Sequence, residues 1–425
     1  MGAVLLRNIT VSGSLSDVLV SKGRFERIDP AGSSSLWELA GDLEIMDCTG
    51  KVAVPGFINM HTHAGMSLMR GIGEDIVFQD WIDRIWKVEE SIDEEYVHLA
   101  TKVACVEMIR TGTTTFNDHY WHFEAGMKAA SELGLRIAGG YVIMDRFNPE
   151  AAARMREECT EQTERAIAAA SDGAVPQLAL HAIYSVSEEM ILWASEFARS
   201  HGIRLHIHLS ETRKEVEDCK AAHGGLTPVE YLDSLGVLGP DLIAAHTLWL
   251  TPHDVELLGS RGVNCVHNIN SNTKLSSGYR FLYNELRDAG ANVCLGTDGC
   301  ASSNNLDMLE VMKTSAIFQK AWRDDPSSLP LPELLDMATV NGARALGIDT
   351  GRIEEGAVAD LIIVDTDNSF FLSPAPFLAN LVYSAHSDCI DSVICGGRFM
   401  MRHREVPGER QILEEARKAI SKLSI

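Results

Sequence analysis

Residues 53–66 read Ala-Val-Pro-Gly-Phe-Ile-Asn-Met-His-Thr-His-Ala-Gly-Met, an apolar run that ends in two histidines two positions apart. On a strand, side chains two apart share a face, so His61 and His63 can reach one cation. Taking Ala53–His63 as a first strand, similar short apolar runs follow at Thr113–His119, Arg136–Met144, Gln177–Ser185, Arg204–Ser210, Leu242–Leu248, Val263–Asn268 and Asn292–Gly296. Runs of this kind are expected of strands buried on both faces. Helical stretches lie between them. Asp93–Arg110 carries apolar residues at helical spacing and stops at Thr111-Gly112, and Ser187–Ala198 opens with Ser-Glu-Glu, a helix-start signal. Eight strands separated by helices predict an α/β chain built as a (β/α)8 TIM-type barrel.

Outside the barrel the pattern turns to short β signals: Val4–Asn8, Asp17–Val20 and Arg24–Ile28 before it, then Arg352–Gly356, Asp360–Val364, Asp391–Cys395 and Arg398–Met401 after it. Neither set alone can bury a good core, so the two are expected to meet in a small β-sandwich. The predicted division is residues 1–54 plus 350–405 for the sandwich, 55–349 for the barrel and 406–425 for a closing segment with an amphipathic helix over Glu409–Leu423.

Composition narrows the function. The formal charge is −23 with no basic stripe, a field that repels nucleic acid and anionic membrane surfaces. No apolar run approaches the ~18 residues that span a bilayer, and the start of the chain carries no secretory signal. The nine cysteines are scattered without a Cys-x-x-Cys pair, as expected for buried thiols in a reducing cytoplasm. A small molecule is the expected partner.

Barrel enzymes place their chemistry at the C-terminal ends of the strands. His61 and His63 end strand one, His208 ends strand five, His246 lies late in strand six, and Asp298 follows strand eight. A single strand histidine is usually a packing residue; this set, from separate strand ends, predicts a metal site. Three imidazoles and a carboxylate suit Zn2+, with Fe2+ or Mn2+ as alternatives. His206 has the parity of His208 one layer deeper and reads as packing. Strand four offers His181 where a bridging lysine would be needed for a second metal, so one divalent ion is expected. Glu211, three residues after His208, can carry protons between water and a leaving group. Gly296 and Gly299 flank Asp298 and allow the backbone to approach closely.

These motifs, together with Met69-Arg70-Gly71, Glu74-Asp75, Ser271–Leu275 and Gly356–Leu361, resemble the amidohydrolase superfamily over nearly the whole chain. The closest-looking subgroup is the 5'-methylthioadenosine/S-adenosylhomocysteine deaminases. The resemblance implies zinc on His61, His63, His208 and Asp298, with Asp298 taking a proton from water. Glu211 would protonate the heterocycle, His246 would orient the attacking oxygen, and ammonia would leave. It also implies substrate contacts from Trp81, from His181 and from Glu90 on the ribose hydroxyls. Homo-oligomers are frequent among such proteins.

Two departures stand out. Strand three reads Gly139-Gly140-Tyr141-Val142-Ile143 where some relatives carry an arginine for a substrate carboxylate, leaving Arg146 and Arg154 as candidate replacements. Val266–Asn272 also differs from the more usual His-Cys-Pro-Glu-Ser-Asn or His-Asn-Pro run. The expected activity is deamination of an adenosine-like nucleoside. The alternatives are the same chemistry on a free heterocycle (guanine, a pterin, an oxidised purine or an s-triazine) and a non-catalytic scaffold.

Overall fold

The computed structural model describes residues 2–32, 43–170 and 173–420. Fifteen strands fall into two sheets. The first holds β1 (Ala3–Val11), β2 (Ser14–Ser21), β3 (Arg24–Pro30), β4 (Leu43–Pro55), β13 (Leu361–Asp365), β14 (Ile390–Cys395) and β15 (Arg398–Met401), in the order β15-β14-β13-β4-β1-β2-β3. The second holds β5 (Phe57–Thr62), β6 (Thr113–Asp118), β7 (Arg136–Ile143), β8 (Ala174–Ala182), β9 (Arg204–Leu209), β10 (Leu242–His246), β11 (Asn264–His267) and β12 (Asn292–Leu295), all parallel and in sequence order.

The parallel sheet comes back on itself: the Asp298 amide, just past β12, donates to the His61 carbonyl on β5 at 2.9 Å. Helices follow the strands around the outside, as the alternating pattern predicts. Asp93 caps the helix Glu94–Arg110 by accepting from the Tyr96 amide, and Ser187 does the same for the helix Glu188–His201 through the Met190 amide. Inside the barrel Ile58, Ala138, Ile243, Val266 and Cys294 form an apolar floor, closed from below by Ala343, Ala345 and Leu346. Histidine and carboxylate side chains gather above this floor, where the strands end, while Asn264 and Asn292 pair below it at the strand starts (2.8 Å).

The terminal sheet draws on both ends of the chain. β4 pairs with β1 on one side and with β13 on the other. The sheet curls over so that the β2–β3 turn reaches the segment before β13, where the Phe25 amide donates to Ala357 O (3.0 Å) and Ala359 N to Gly23 O (2.9 Å). Val4, Leu6, Phe25, Met46, Leu361 and Ile363 pack between the layers.

Two expectations change in detail. Ala53–His63 is not one strand: the chain leaves β4 at Pro55 and enters β5 at Phe57. Gly56 makes the crossing because a Cβ there would lie 2.3 Å from Thr114 Oγ1. Arg352–Gly356 forms a turn rather than a strand, held by the Gly356 amide on Phe25 O and by Arg352 on Asp349. The closing helix runs Glu409–Ile420; the last three positions of the expected Glu409–Leu423 lie outside the described residues. All nine cysteines are buried and free, and no helix among the described residues is long and apolar enough to cross a membrane.

Candidate active site

At the C-terminal mouth of the barrel the strand ends bring His61, His63, His208, His246, Glu211 and Asp298 together. Hydrogen bonds fix how the imidazoles point. His63 Nδ1 donates to the His119 carbonyl (2.5 Å) and His208 Nδ1 donates to the His181 carbonyl (2.7 Å). A carbonyl only accepts, so in the neutral imidazole each Nε2 carries a bare lone pair. Those two Nε2 atoms face one another at 3.3 Å. His61 Nδ1 shares a hydrogen bond with His206 Nε2 (3.0 Å), while its buried Nε2 has no hydrogen-bond partner. Asp298 Oδ1 lies 3.1 Å from His63 Nε2 and 3.5 Å from His61 Nε2. Lone pairs converging at this range in a buried cavity repel one another unless a cation lies between them. Three nitrogens and one carboxylate oxygen make the donor set of a borderline divalent ion, so the residues present fit a metal.

The backbone is bent to deliver these groups. Asp298 (φ 63), His246 (φ 76) and Ser210 (φ 52), beside Glu211, all sit in the left-handed region without being glycine. Such conformations cost of order 1–3 kcal/mol each and persist only where surroundings over-determine them. The surroundings here are explicit. Ser271 Oγ donates to Asp298 Oδ2 (2.6 Å) and the Gly299 amide to Asp298 Oδ1 (2.8 Å). Asn59, on the strand that carries the two histidines, accepts from the Thr297 amide (3.0 Å) and donates to Thr297 Oγ1 (2.7 Å). A Cβ on Gly299 would stand 3.0 Å from His63 Cβ, so glycine here lets Asp298 approach that strand.

Glu211 is held similarly. The buried Glu215 carboxylate accepts from the Ser210 and Glu211 amides, both at 2.8 Å, and locks the turn after β9. Burial above all, then the nearby Asp298 and Glu215 charges, lifts the Glu211 carboxyl well above the usual carboxylate range, before any bound cation adds its own field. Its Oε2 lies 3.8 Å from His246 Nε2. His246 Nδ1 lies 2.9 Å from Asn272 Nδ2, which also reaches Ser277 Oγ at 3.1 Å. One amide therefore ties the ring to the loop after β11.

The cavity over these groups is walled by the helix Phe78–Glu89, which contributes Phe78, Trp81, Ile82, Ile85, Trp86 and Glu89, and by Tyr120, Trp121 and His181. Trp81 is buried with its indole N–H donating to Ala301 O (3.2 Å). His181 shares a hydrogen bond with Ser185 Oγ (2.7 Å); burial first, then His63 and Arg146, bring it down to about 3, so its ring is neutral.

Glu90 is not brought in. It is exposed and lines a neighbouring depression with Arg146, His122 and Met144. Its neighbour Glu89 faces the cavity, with Oε1 buried and without a hydrogen-bond partner. Sequence reasoning also passed over His119, which lines the cavity with both ring nitrogens buried and unpartnered, and Glu215. Of the two candidate arginines, Arg146 lies over the Trp86 ring (5.0 Å) at the cavity's edge, while Arg154 pairs with Glu158 on the surface. Tyr141, where an arginine stands in some relatives, donates its hydroxyl to Glu158 (2.8 Å).

Comparison with known proteins gives one consistent result. The amidohydrolase family model matches residues 52–400. A 5'-deoxyadenosine deaminase of Methanoregula boonei is 43% identical over 426 residues, covering 99% of this chain and 95% of its own. A 5-methylthioadenosine/S-adenosylhomocysteine deaminase of Archaeoglobus fulgidus is 39% identical over 392 residues, covering 89% of this chain and 90% of its own. Among solved structures, an adenosine deaminase from Xanthomonas campestris with bound zinc superimposes with a TM-score of 0.89 at 30% identity, covering 99% of this chain and 98% of that one.

Proposed function

Because the chain belongs to the amidohydrolase family, we propose that its site performs hydrolytic deamination of adenosine-like nucleosides, 5'-deoxyadenosine and 5'-methylthioadenosine foremost, with Zn2+ as the resident ion. The protein is a metal-dependent hydrolase acting on C–N bonds. The observation that carries the reading is the convergence of bare imidazole nitrogens and Asp298 beneath a carboxyl group, Glu211, whose environment favours its protonated form.

His61, His63, His208 and Asp298 would hold a divalent ion, which would supply the Lewis acidity that makes water nucleophilic near neutral pH. Asp298, fixed by Ser271 and Gly299, takes the water proton on its carboxylate. Glu211 gives its proton to the ring nitrogen beside the amino-bearing carbon, so aromaticity is broken only as the new charge is neutralised. His246 orients the attacking oxygen from the side opposite Asn272. The proton held on Asp298 then passes to the amino group, which leaves as ammonia as the C–N bond breaks, while the hydroxyl proton goes to Glu211 and the carbon becomes a carbonyl. Glu89, which lines the cavity with a buried and unpartnered Oε1, would accept hydrogen bonds from the ribose hydroxyls in place of Glu90.

The cavity has a free volume of about 70 Å3, below the 300–1,000 Å3 typical of ligand sites. Side chains lining it, among them Trp81, Trp86 and Tyr184, must therefore shift to admit a nucleoside. The apolar inner face of the helix Phe78–Glu89 favours a small apolar group at the 5' carbon.

The test is ammonia release by zinc-loaded protein on 5'-deoxyadenosine, 5'-methylthioadenosine, adenosine, S-adenosylhomocysteine, adenine, guanine and melamine. Preference for the first two supports the reading. Activity confined to the free bases or to melamine removes the nucleoside part of it.

A further inference from the structure

A second concavity of about 760 Å3 lies on the same end of the barrel, outside the reaction cavity. The segments after β9, β10 and β11 and the helix Met308–Arg323 build it, contributing Arg213, Trp249, Tyr279, Arg280 and Phe318. Arg213 stacks over the Trp249 ring at 4.7 Å and Arg280 over Tyr279 at 5.6 Å, and Tyr279 meets Phe318 edge-on. Neither arginine forms an ion pair or hydrogen bond among the described residues. Elsewhere on this acidic chain Arg199, Arg261 and Arg287 are each matched to a carboxylate. Tyr279 is 43% exposed, a large ring left open to solvent.

The wall between this groove and the reaction cavity is one segment thick. Asn272 lines the groove and also holds His246 Nδ1; Ser277 bonds to Asn272 and accepts the Trp249 indole N–H on its carbonyl (2.7 Å). His246 Nε2 in turn lies 3.8 Å from Glu211 Oε2.

We propose that this groove is a second ligand site, taking a flat anionic molecule of the nucleoside phosphate class, and that its occupancy adjusts His246 and Glu211 through Asn272 and Ser277. The rings offer stacking faces to a base, and Arg213 and Arg280, which line the same groove, offer a phosphate the forked donors of a guanidinium. A protein with net charge −23 repels anions at long range, so an anion site on it needs such local, unmatched arginines.

The test uses the full-length, zinc-loaded protein with guanosine 5'-monophosphate as probe, since its base carries no 6-amino group to hydrolyse. Calorimetry is run beside guanosine and inorganic phosphate, on the wild type and on Arg213→Ala/Arg280→Ala and Tyr279→Ala. The expected result is one site, affinity for the probe at least tenfold above that for guanosine or phosphate alone, and at least a tenfold loss in each variant while basal turnover is kept. Absence of binding to the wild type overturns the proposal. Binding that is competitive with substrate and unchanged in the variants assigns the probe to the reaction cavity and also overturns it. Sedimentation showing a dimer that the same substitutions dissociate makes the groove an interface between copies, with the same consequence. The coupling clause rests on the deamination reading: it predicts that the probe changes kcat with KM unmoved, and unchanged kcat at saturating probe sinks that clause while the binding heat stands on its own.

Discussion

Substituting Glu89→Gln tests the assignment in which sequence and structure part by one residue. Glu89 Oε1 is buried and has no hydrogen-bond partner, and it lines the cavity beside Tyr120 and Trp121. In glutamine one of the two oxygens becomes an N–H donor, so a ribose diol loses one of its two acceptors. A hydrogen bond to a charged group contributes about 1.5–3 kcal/mol, and each 1.4 kcal/mol is tenfold. The value of kcat/KM for 5'-deoxyadenosine should therefore fall about 10- to 100-fold, while that for free adenine stays within about twofold. Glu90→Gln, exposed and outside the cavity, should change neither substrate by more than about twofold. Steady-state ammonia release on both substrates measures this directly. A harmless Glu89→Gln, or a Glu90→Gln with the larger effect, would refute the reasoning.

Three further outcomes are expected. Glu211→Gln should lower kcat by about 100- to 10,000-fold, the range of a lost general acid, with metal content by elemental analysis unchanged; loss of metal would make it a ligand instead. Chelation should abolish turnover and lower the melting temperature, because the facing Nε2 atoms of His63 and His208 then lack their cation; restored zinc should recover both, and an unchanged melting temperature would mean the ligands need no ion to stay assembled. The third concerns pH. Burial, working against three backbone amides, raises Glu215 from 4.5 to about 7. The native state then holds a proton that the unfolded state has lost, so this group's contribution to stability falls as pH rises from about 4.5 to 7 and is level above that. The change corresponds to about 3 kcal/mol. Denaturant melts across this window should show the decline in wild type and a shallower one in Glu215→Gln; parallel curves would count against it.

Much of the site could be read from the chain because period-two alternation is rigid. With His61 and His63 on one strand, both imidazoles had to face the same way, and Asp298 between Gly296 and Gly299 marked a backbone that must come close to something. What escaped was set by contacts between distant segments. Glu89 and Glu90 are neighbours at a helix end, about 100° apart around the axis, and which of them faces the cavity depends on how the helix lies over the barrel. Periodicity of the helix alone does not contain that angle. Arg352–Gly356 has the look of a strand locally, but the left-handed Gly356 (φ 88) and the Arg352–Asp349 pair close the segment as a turn against Phe25 on the edge strand β3. His119 ends an apolar run as His61 does, yet nothing in its own segment distinguishes a ligand from a buried imidazole.

The position of β4 has a consequence for how the protein is made. β4 is flanked by β1, which precedes it in the chain, and by β13, which lies some three hundred residues later. As the polypeptide leaves the ribosome, the barrel strands emerge and can associate while one side of β4 still waits for its partner. Throughout that interval Val52, Ala53 and Val54 present an unpaired apolar edge, the kind that recruits strands from other chains. A messenger truncated before codon 361 would leave that edge open permanently, and its product should aggregate or be degraded even though every ligand and proton donor named above had already been synthesised.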